Sequence, residues 1–236
     1  MKPLGVDAGI VDVVAIDGPA GVGKSTTAKQ LAERLGYYFL SSGMIYRAMA
    51  WHLLGRGWRA ESGAPPPEQL ETALATLDVQ VVAGGRVRVA GRDVTEALRD
   101  EAVSNAASVL SAVPAVRARS NQIQRSTVAG IGASGAYPGV VLEGRDIGTV
   151  VFPEAPHKYF LTAREEVRAQ RRFAEQSPGD SQTSLGSVRN ALLERDARDS
   201  GRAIAPLVPA PDARVVDTSD LTLEQVLERI LADLQA

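Results

Sequence analysis

Cysteine is absent from the 236 residues, so neither a disulfide nor a thiolate metal site can be built. Histidine is scarce. His52 and His157 are the whole supply, too few for a histidine-rich metal centre, and both read as structural. Lysine is scarce as well: of 26 basic residues only Lys2, Lys24, Lys29 and Lys158 are not arginine. Lys24 therefore stands against the trend of the whole chain. No stretch approaches the roughly 18 consecutive apolar residues of a membrane-spanning helix. Positive charge is not in excess either. The formal net charge is −2, so no global basic field draws the protein onto nucleic acid. Met1 to Asp12 lacks the basic-then-apolar run of a secretory signal. Aromatics make up 5% of the chain, and Trp51, Trp58 and the Tyr37-Tyr38 pair read as packing residues rather than stacking platforms. These absences lead to the expectation of a soluble cytoplasmic protein with no nucleic-acid or membrane partner.

What is present is a strand-and-helix alternation. Val11 to Ile16 is a short β-branched run that reads as a buried strand. A glycine-rich turn follows, then a helical pattern from Ser25 to Leu35 with Gly36 as its C-cap. Tyr38 to Leu40 is a second short strand and Met44 to Leu54 a second helix. Gly63-Ala64-Pro65-Pro66-Pro67 marks a boundary segment. Beyond it lie a short helix (Pro67 to Leu77) and a hairpin, Asp78 to Val82 with Arg86 to Val89, turning at Gly84-Gly85. Val94 to Gln124 reads as mostly helical with a break at Pro114, and Gly130 to Gly139 as a flexible loop. Val140 to Leu142, His157 to Leu161 and Ala213 to Asp217 read as strands. Helices are expected at about Ala163 to Gln176, Ser187 to Asp199 and Leu223 to Leu234, with a polar stretch from Ser177 to Gly186. The fold expected is α/β: a mostly parallel sheet with helices on both faces. In such sheets ligands sit beyond the carboxyl ends of the strands, where Asp17 to Ser25, Ser41-Ser42 and Glu143 to Asp146 fall.

The first of these segments is the most specific. Gly18-Pro19-Ala20-Gly21-Val22-Gly23-Lys24-Ser25 meets the pattern G-x-x-x-x-G-K-[ST] between an expected strand and an expected helix. Glycines let the backbone curl so that its N–H groups converge on one anion, and the helix N-terminus adds partial positive charge. Lys24 is placed to reach the β- and γ-phosphates, and Ser25 to offer its hydroxyl to Mg²⁺ alongside waters and nucleotide phosphates. Thr26 completes the expected ATP-binding set. A loop of this kind fits switches, motors, transporters and kinases alike. The modest length favours a small kinase. So does an arginine-rich second half (Arg164, Arg168, Arg171, Arg172, Arg189, Arg195, Arg198, Arg202), since guanidinium groups offset crowded phosphate charge. For most of these arginines the plainer reading is preferred: a helix surface balanced by Glu165, Glu166, Glu175, Glu194, Asp196 and Asp199.

Five motifs in order carry a resemblance to a known family. They are Ile16-Asp17 with the glycine-rich loop through Ser25, Ser41-Ser42-Gly43-Met44-Ile45-Tyr46-Arg47, Asn105-Ala106-Ala107-Ser108, Glu143-Gly144-Arg145-Asp146-Ile147-Gly148-Thr149-Val150-Val151-Phe152-Pro153, and Arg195-Asp196-Ala197-Arg198-Asp199. Ala205-Pro206-Leu207 follows. The chain resembles the bacterial cytidylate kinases, which are P-loop nucleoside monophosphate kinases, from about Val13 to the last helix. The resemblance implies ATP-dependent phosphorylation of CMP and dCMP, with Mg²⁺ accompanying ATP. It implies that Ser42, Arg47 and Arg145, joined by Arg202, hold the acceptor's phosphate. Ser108, Arg117 and Asp146 would read the cytosine edge, and Arg195 and Asp199 would lie near the sugar. Lys24, Arg145 and Arg202 are the catalytic set it implies. It also implies one P-loop kinase domain over 11–236 behind an N-terminal extension (1–10), an inserted nucleotide-binding subdomain at about 63–105, and a mobile lid at about 175–205. We expect the enzyme to act as a monomer. Two positions depart from the family pattern: Glu143 stands where many relatives have aspartate, and Gly201 stands where relatives often carry a larger polar residue.

Overall fold

A computed structural model describes residues 11–176 and 184–235. The expected extension (1–10) and the 177–183 part of the expected lid lie outside the described residues. The elements in chain order are β1 (Asp12–Asp17), α1 (Lys24–Leu35), β2 (Tyr38–Ser41), α2 (Ser42–Leu54), α3 (Pro67–Ala75), β3 (Val79–Val82), β4 (Arg86–Val89) and β5 (Arg92–Asp93). They continue with α4 (Glu101–Leu110), α5 (Pro114–Ser134), β6 (Gly139–Glu143), β7 (His157–Thr162), α6 (Glu165–Gln176), α7 (Leu185–Ser200), β8 (Arg214–Asp217) and α8 (Leu223–Leu234). Five strands form a parallel sheet in the order β2-β6-β1-β7-β8, flanked by helices, and β3-β4-β5 form a separate antiparallel sheet.

The chain forms two compact units, one built on Tyr38–Val140 and the other on Asp12–Tyr37 with Val141–Ala236. In the second unit, Val13 to Ile16 of β1 and Val141 and Leu142 of β6 are buried. Continuous apolar runs of this kind suit strands covered on both faces. β7 pairs with β1 in the register Val14↔His157 to Asp17↔Phe160, and with β8 in the register Tyr159↔Arg214 to Thr162↔Asp217. β8 carries an exposed Val215. The last helix, α8, begins with a capping box in which Thr222 and Gln225 exchange side-chain-to-backbone bonds, satisfying two donors of its first turn.

The first unit departs from the sequence reading in several places. Gly130 to Gly139 is not a loop: α5 continues to Ser134, because Val128 and Ile131 keep the buried stripe in step and Gly135 supplies the left-handed cap. The break expected at Pro114 is present: α4 ends at Leu110, and Pro114 opens α5 in its first turn, where the missing N–H costs nothing. The helical reading of Val94 to Asp100 is also corrected. Only Ala97–Arg99 makes a 3₁₀ turn there, and α4 starts afterwards with Asp100 as its cap, accepting from the Ala102 N–H at 2.7 Å. The hairpin turn is three residues, Ala83–Gly85, with Val82 opposite Arg86, and the short strand β5 adds a third member.

Candidate active site

The second unit gathers its chemistry at the carboxyl end of β1. Gly18 (φ +145°) and Gly23 (φ +91°) hold backbone angles that L side chains rarely adopt, and they bracket the turn from β1 into α1. Helix α1 has no side-chain cap and no acid in its first turn, so its opening N–H groups and their partial positive charge face no carboxylate of their own helix. Thr218, just past β8, braces the loop from below. Its single hydroxyl proton is shared between the carbonyls of Thr162 (3.0 Å) and Val22 (3.3 Å), while Arg171 donates to its Oγ1 and its carbonyl. From the opposite side Ala20 packs in an apolar cluster with Ala169, Val188 and Leu192, and Phe173 lies against it. The Ala20 N–H donates to Asp196 Oδ1 (3.4 Å), and Asp196 pairs with Arg168, which also donates to the Ala20 carbonyl.

Lys24 is buried at 5% exposure, its Nζ donating to the Pro19 carbonyl at 2.5 Å. Burial lowers its pKa well below the lysine range. Arg145 lowers it further, Glu143 opposes, Arg195 adds to the lowering, and Asp17 opposes. Three cationic side chains thus bear on one another in a desolvated place. Such crowding costs free energy unless an anion is to be bound there. Asp199, 1% exposed, is held by Arg145 (3.0 Å) and paired with Arg202. Burial would raise its carboxyl; Arg145, Arg202 and Arg195 outweigh that and keep it below its ordinary value. Gly201, the departure from the family pattern, ends α7 with its N–H on the Ala197 carbonyl (2.9 Å), and a Cβ there would sit 2.9 Å from that same oxygen. Arg202 reaches Asp199 all the same.

Asp17, also 5% exposed, accepts from the backbone N–H of Ile147 (2.9 Å) and Gly148 (2.8 Å). Burial pushes its carboxyl up to about 6. The two N–H bonds oppose the rise, Asp146 adds to it, and Lys24 opposes it. The chain leaving β6 donates from Gly144 N–H to the Ile16 carbonyl (3.0 Å), passes through Arg145 and Asp146, and enters a π-helical turn at Ile147–Val151.

The first unit carries the other expected acceptor residues on α2, α4 and α5. Arg47 Nη2 donates to Ser104 Oγ at 3.3 Å. Arg117, buried, donates to the Ser111 carbonyl (3.0 Å) and sits 6.0 Å from the Tyr46 ring centroid, within reach of a cation–π contact. The cap of α2 is Ser41, whose hydroxyl accepts from the Met44 N–H (3.4 Å); Ser42 is the first helical residue. Among the described residues Ser108 Oγ is buried with no hydrogen-bond partner. A buried hydroxyl left without a partner costs about 1–3 kcal/mol.

Three of the eight second-half arginines follow the plainer reading of an exposed, charge-balanced surface. Arg164 pairs with Asp220, Arg172 with Glu175 and Arg189 with Glu165. Arg195 and Arg202 depart from it by joining the Lys24–Asp199 cluster. The sequence reading gives no role to Asp17 or Thr218, and gives Asp196 only that of balancing nearby arginines, which its pairing with Arg168 fits. A buried carboxylate closing an apolar strand directly before Gly18 was the available signal for Asp17. Nothing local marks Thr218. Mg²⁺ fits the residues present. Ser25 stands exposed at the start of α1, and among the described residues no group of three or more carboxylate or histidine side chains forms a protein cage. Magnesium bound to nucleotide commonly takes one or two protein oxygens and completes its shell with phosphates and water. Among the described residues no helix is long and apolar enough to cross a membrane.

A parallel sheet whose first strand delivers a lysine-bearing glycine loop into a cationic cluster defines a P-loop phosphotransferase. Residues 14–236 match the family model described as cytidylate kinase. Cytidylate kinase of Azotobacter vinelandii is 42% identical over 95% of both chains. That of Pseudomonas fluorescens is 44% identical over 94% of both. The chain belongs to the cytidylate kinase family. A solved structure of an uncharacterized protein from Eubacterium ventriosum shares the fold, with a TM-score of 0.52 at 10% identity, covering 95% of this chain and 99% of that one.

Proposed function

We propose that this protein transfers the γ-phosphoryl group of ATP to a phosphate oxygen of CMP or dCMP, yielding CDP or dCDP. Family membership supports the acceptor. The observation that carries the chemistry is the buried Lys24, crowded by Arg145 and Arg195. Asp199, Glu143 and Asp17 offset this positive charge only in part, and a bound polyphosphate would be clamped by the remainder. The loop from Gly18 to Ser25, with Thr26, holds the donor, and Lys24 balances charge on the group in flight. Ser42, Arg47, Arg145 and Arg202 hold the acceptor phosphate, with Arg195 and Asp199 beside the sugar.

Ser108, Arg117 and Asp146 read cytosine. A carboxylate accepts from its amine, while a hydroxyl and a guanidinium donate to its ring nitrogen and carbonyl. Uracil carries a carbonyl in place of the amine and would leave Asp146 facing an acceptor, the kind of mismatch that discriminates strongly. The acceptor oxygen is already anionic near neutral pH, so alignment and charge neutralisation suffice without a general base. Ser25 would hold Mg²⁺, which when bound neutralises charge on the transferring phosphates. Segment 63–105 serves as the nucleotide-binding subdomain and 175–205 as the lid that excludes water from the transfer.

The test is a panel of nucleoside monophosphates incubated with ATP, with diphosphate formation followed. CMP and dCMP should be the best acceptors. Preference for a non-cytosine acceptor overturns the reading, as does tight nucleotide binding without CDP.

A further inference from the structure

Asp17 is a buried carboxylate whose two oxygens accept from two successive backbone amides, Ile147 and Gly148. Burying it is costly, and burial drives its carboxyl up to about 6. An apolar residue ending β1 would avoid that cost. The geometry around it suggests what it serves. Gly144 is tied to the Ile16 carbonyl, and Ile147 and Gly148 are tied to the Asp17 side chain. Arg145 and Asp146 are the two residues suspended between these anchors. The next residue after Asp17 is Gly18, the first of the phosphate loop.

The far anchor is closely fitted. A Cβ on Gly148 would lie 3.1 Å from Lys158 Cδ and 3.5 Å from Asp17 Oδ2. The Lys158 side chain has little freedom to yield, since its Nζ donates to the Pro153 carbonyl and to Asp212, each at 2.6 Å.

We propose that Asp17 is a positioning residue for the acceptor nucleotide: it clamps the Ile147–Gly148 amides so that Arg145 and Asp146 are presented from the strand end that also starts the phosphate loop. The inference rests on the cytidylate kinase reading for what Arg145 and Asp146 contact. The anchor itself is tested independently of activity.

Asp17→Asn replaces one acceptor oxygen by a donor NH₂, leaving one buried amide facing a donor. An orphaned buried amide of this kind corresponds to about a ten-fold effect. The KM for CMP should therefore rise by about ten-fold and the CMP:UMP ratio of kcat/KM should fall, while the KM for ATP stays within about three-fold. Backbone hydrogen exchange at Ile147 and Gly148 should accelerate in the same variant. An unchanged KM for CMP with an unchanged CMP:UMP ratio overturns the proposal, as does a parallel rise in both KM values, which would place Asp17 in service of the loop or the fold at large.

If Asp17→Asn does not fold, Gly148→Ala presses on the same anchor from the other side. It should raise the KM for CMP by a smaller factor in the same direction, and no shift overturns the proposal. If the wild-type enzyme makes no CDP at all, the substrate reading fails. The exchange rates at Ile147 and Gly148 then still decide whether Asp17 holds the turn.

Discussion

Two glycines of the phosphate loop should fail for different reasons when given a methyl group, and the difference can be sized from the structure. At Gly18 a Cβ would lie 2.1 Å from the Leu161 carbonyl oxygen and 3.1 Å from its carbon, about 1 Å inside ordinary carbon–oxygen contact. That oxygen belongs to β7, which is paired with β1 through Ile16↔Tyr159 and Asp17↔Phe160. No side chain can swing away, so the sheet backbone must give. Overpacking of this kind costs about 1–3 kcal/mol, and the φ of +145° adds strain of about 1–2 kcal/mol. At Gly23 nothing lies within 4 Å of the added carbon, and only the φ of +91° is strained, which costs about 1–2 kcal/mol. Gly18→Ala should therefore lose about 3.5 kcal/mol and Gly23→Ala about 1.5 kcal/mol. Urea unfolding of both variants, fitted with a common slope, measures the gap. Equal losses, or a larger loss at Gly23, would refute the argument that a backbone collision rather than loop strain dominates at Gly18.

Three further outcomes are expected. Lys24→Met should cut turnover by at least about 100-fold. Its melting temperature should match or exceed that of the wild type, because a desolvated cation crowded by Arg145 and Arg195 is removed; near-normal turnover contradicts the loop assignment, and a marked loss of stability contradicts the crowding. Asp199→Asn should lose about 3 kcal/mol at pH 6, since Arg145 and Arg202 keep their buried charge without its partner. The folded-state carboxyl titrates below its unfolded value, so its contribution is present above the ordinary aspartate range and fades as pH falls through the depressed value. Urea midpoints of wild type and variant should converge on acidification from pH 6 toward pH 3; parallel curves would contradict the assignment. Asp146→Asn should narrow the CMP:UMP ratio of kcat/KM, and an unchanged ratio rules out its reading of the base.

Much of this protein is determined by residues close together in the chain. The glycine spacing, the lysine set against an arginine background and the flanking strand and helix signals all lie within Asp12–Leu35, and their meaning is local: a curled backbone aimed at an anion. The motif order was equally legible because it is linear. Helix ends were less so. Whether Gly130 and Gly132 end α5 depends on whether Val128 and Ile131 find a buried face, and serines 41 and 42 differ only in which begins the helix.

Tertiary structure alone decided the rest. Asp17 and Ile147 are 130 residues apart, and Ala20 and Asp196 are 176 apart. No periodicity links such pairs; only β1 lying beside its neighbours in the sheet, and α6 and α7 packing against Ala20, bring them together. Charge followed the same division. Composition counts the cations, but only the fold sets Arg145 and Arg195 around a desolvated Lys24 while turning Arg164 and Arg189 outward to surface partners. The reason is physical: backbone preference acts over a few residues, whereas burial and Coulomb energy depend on distance in space.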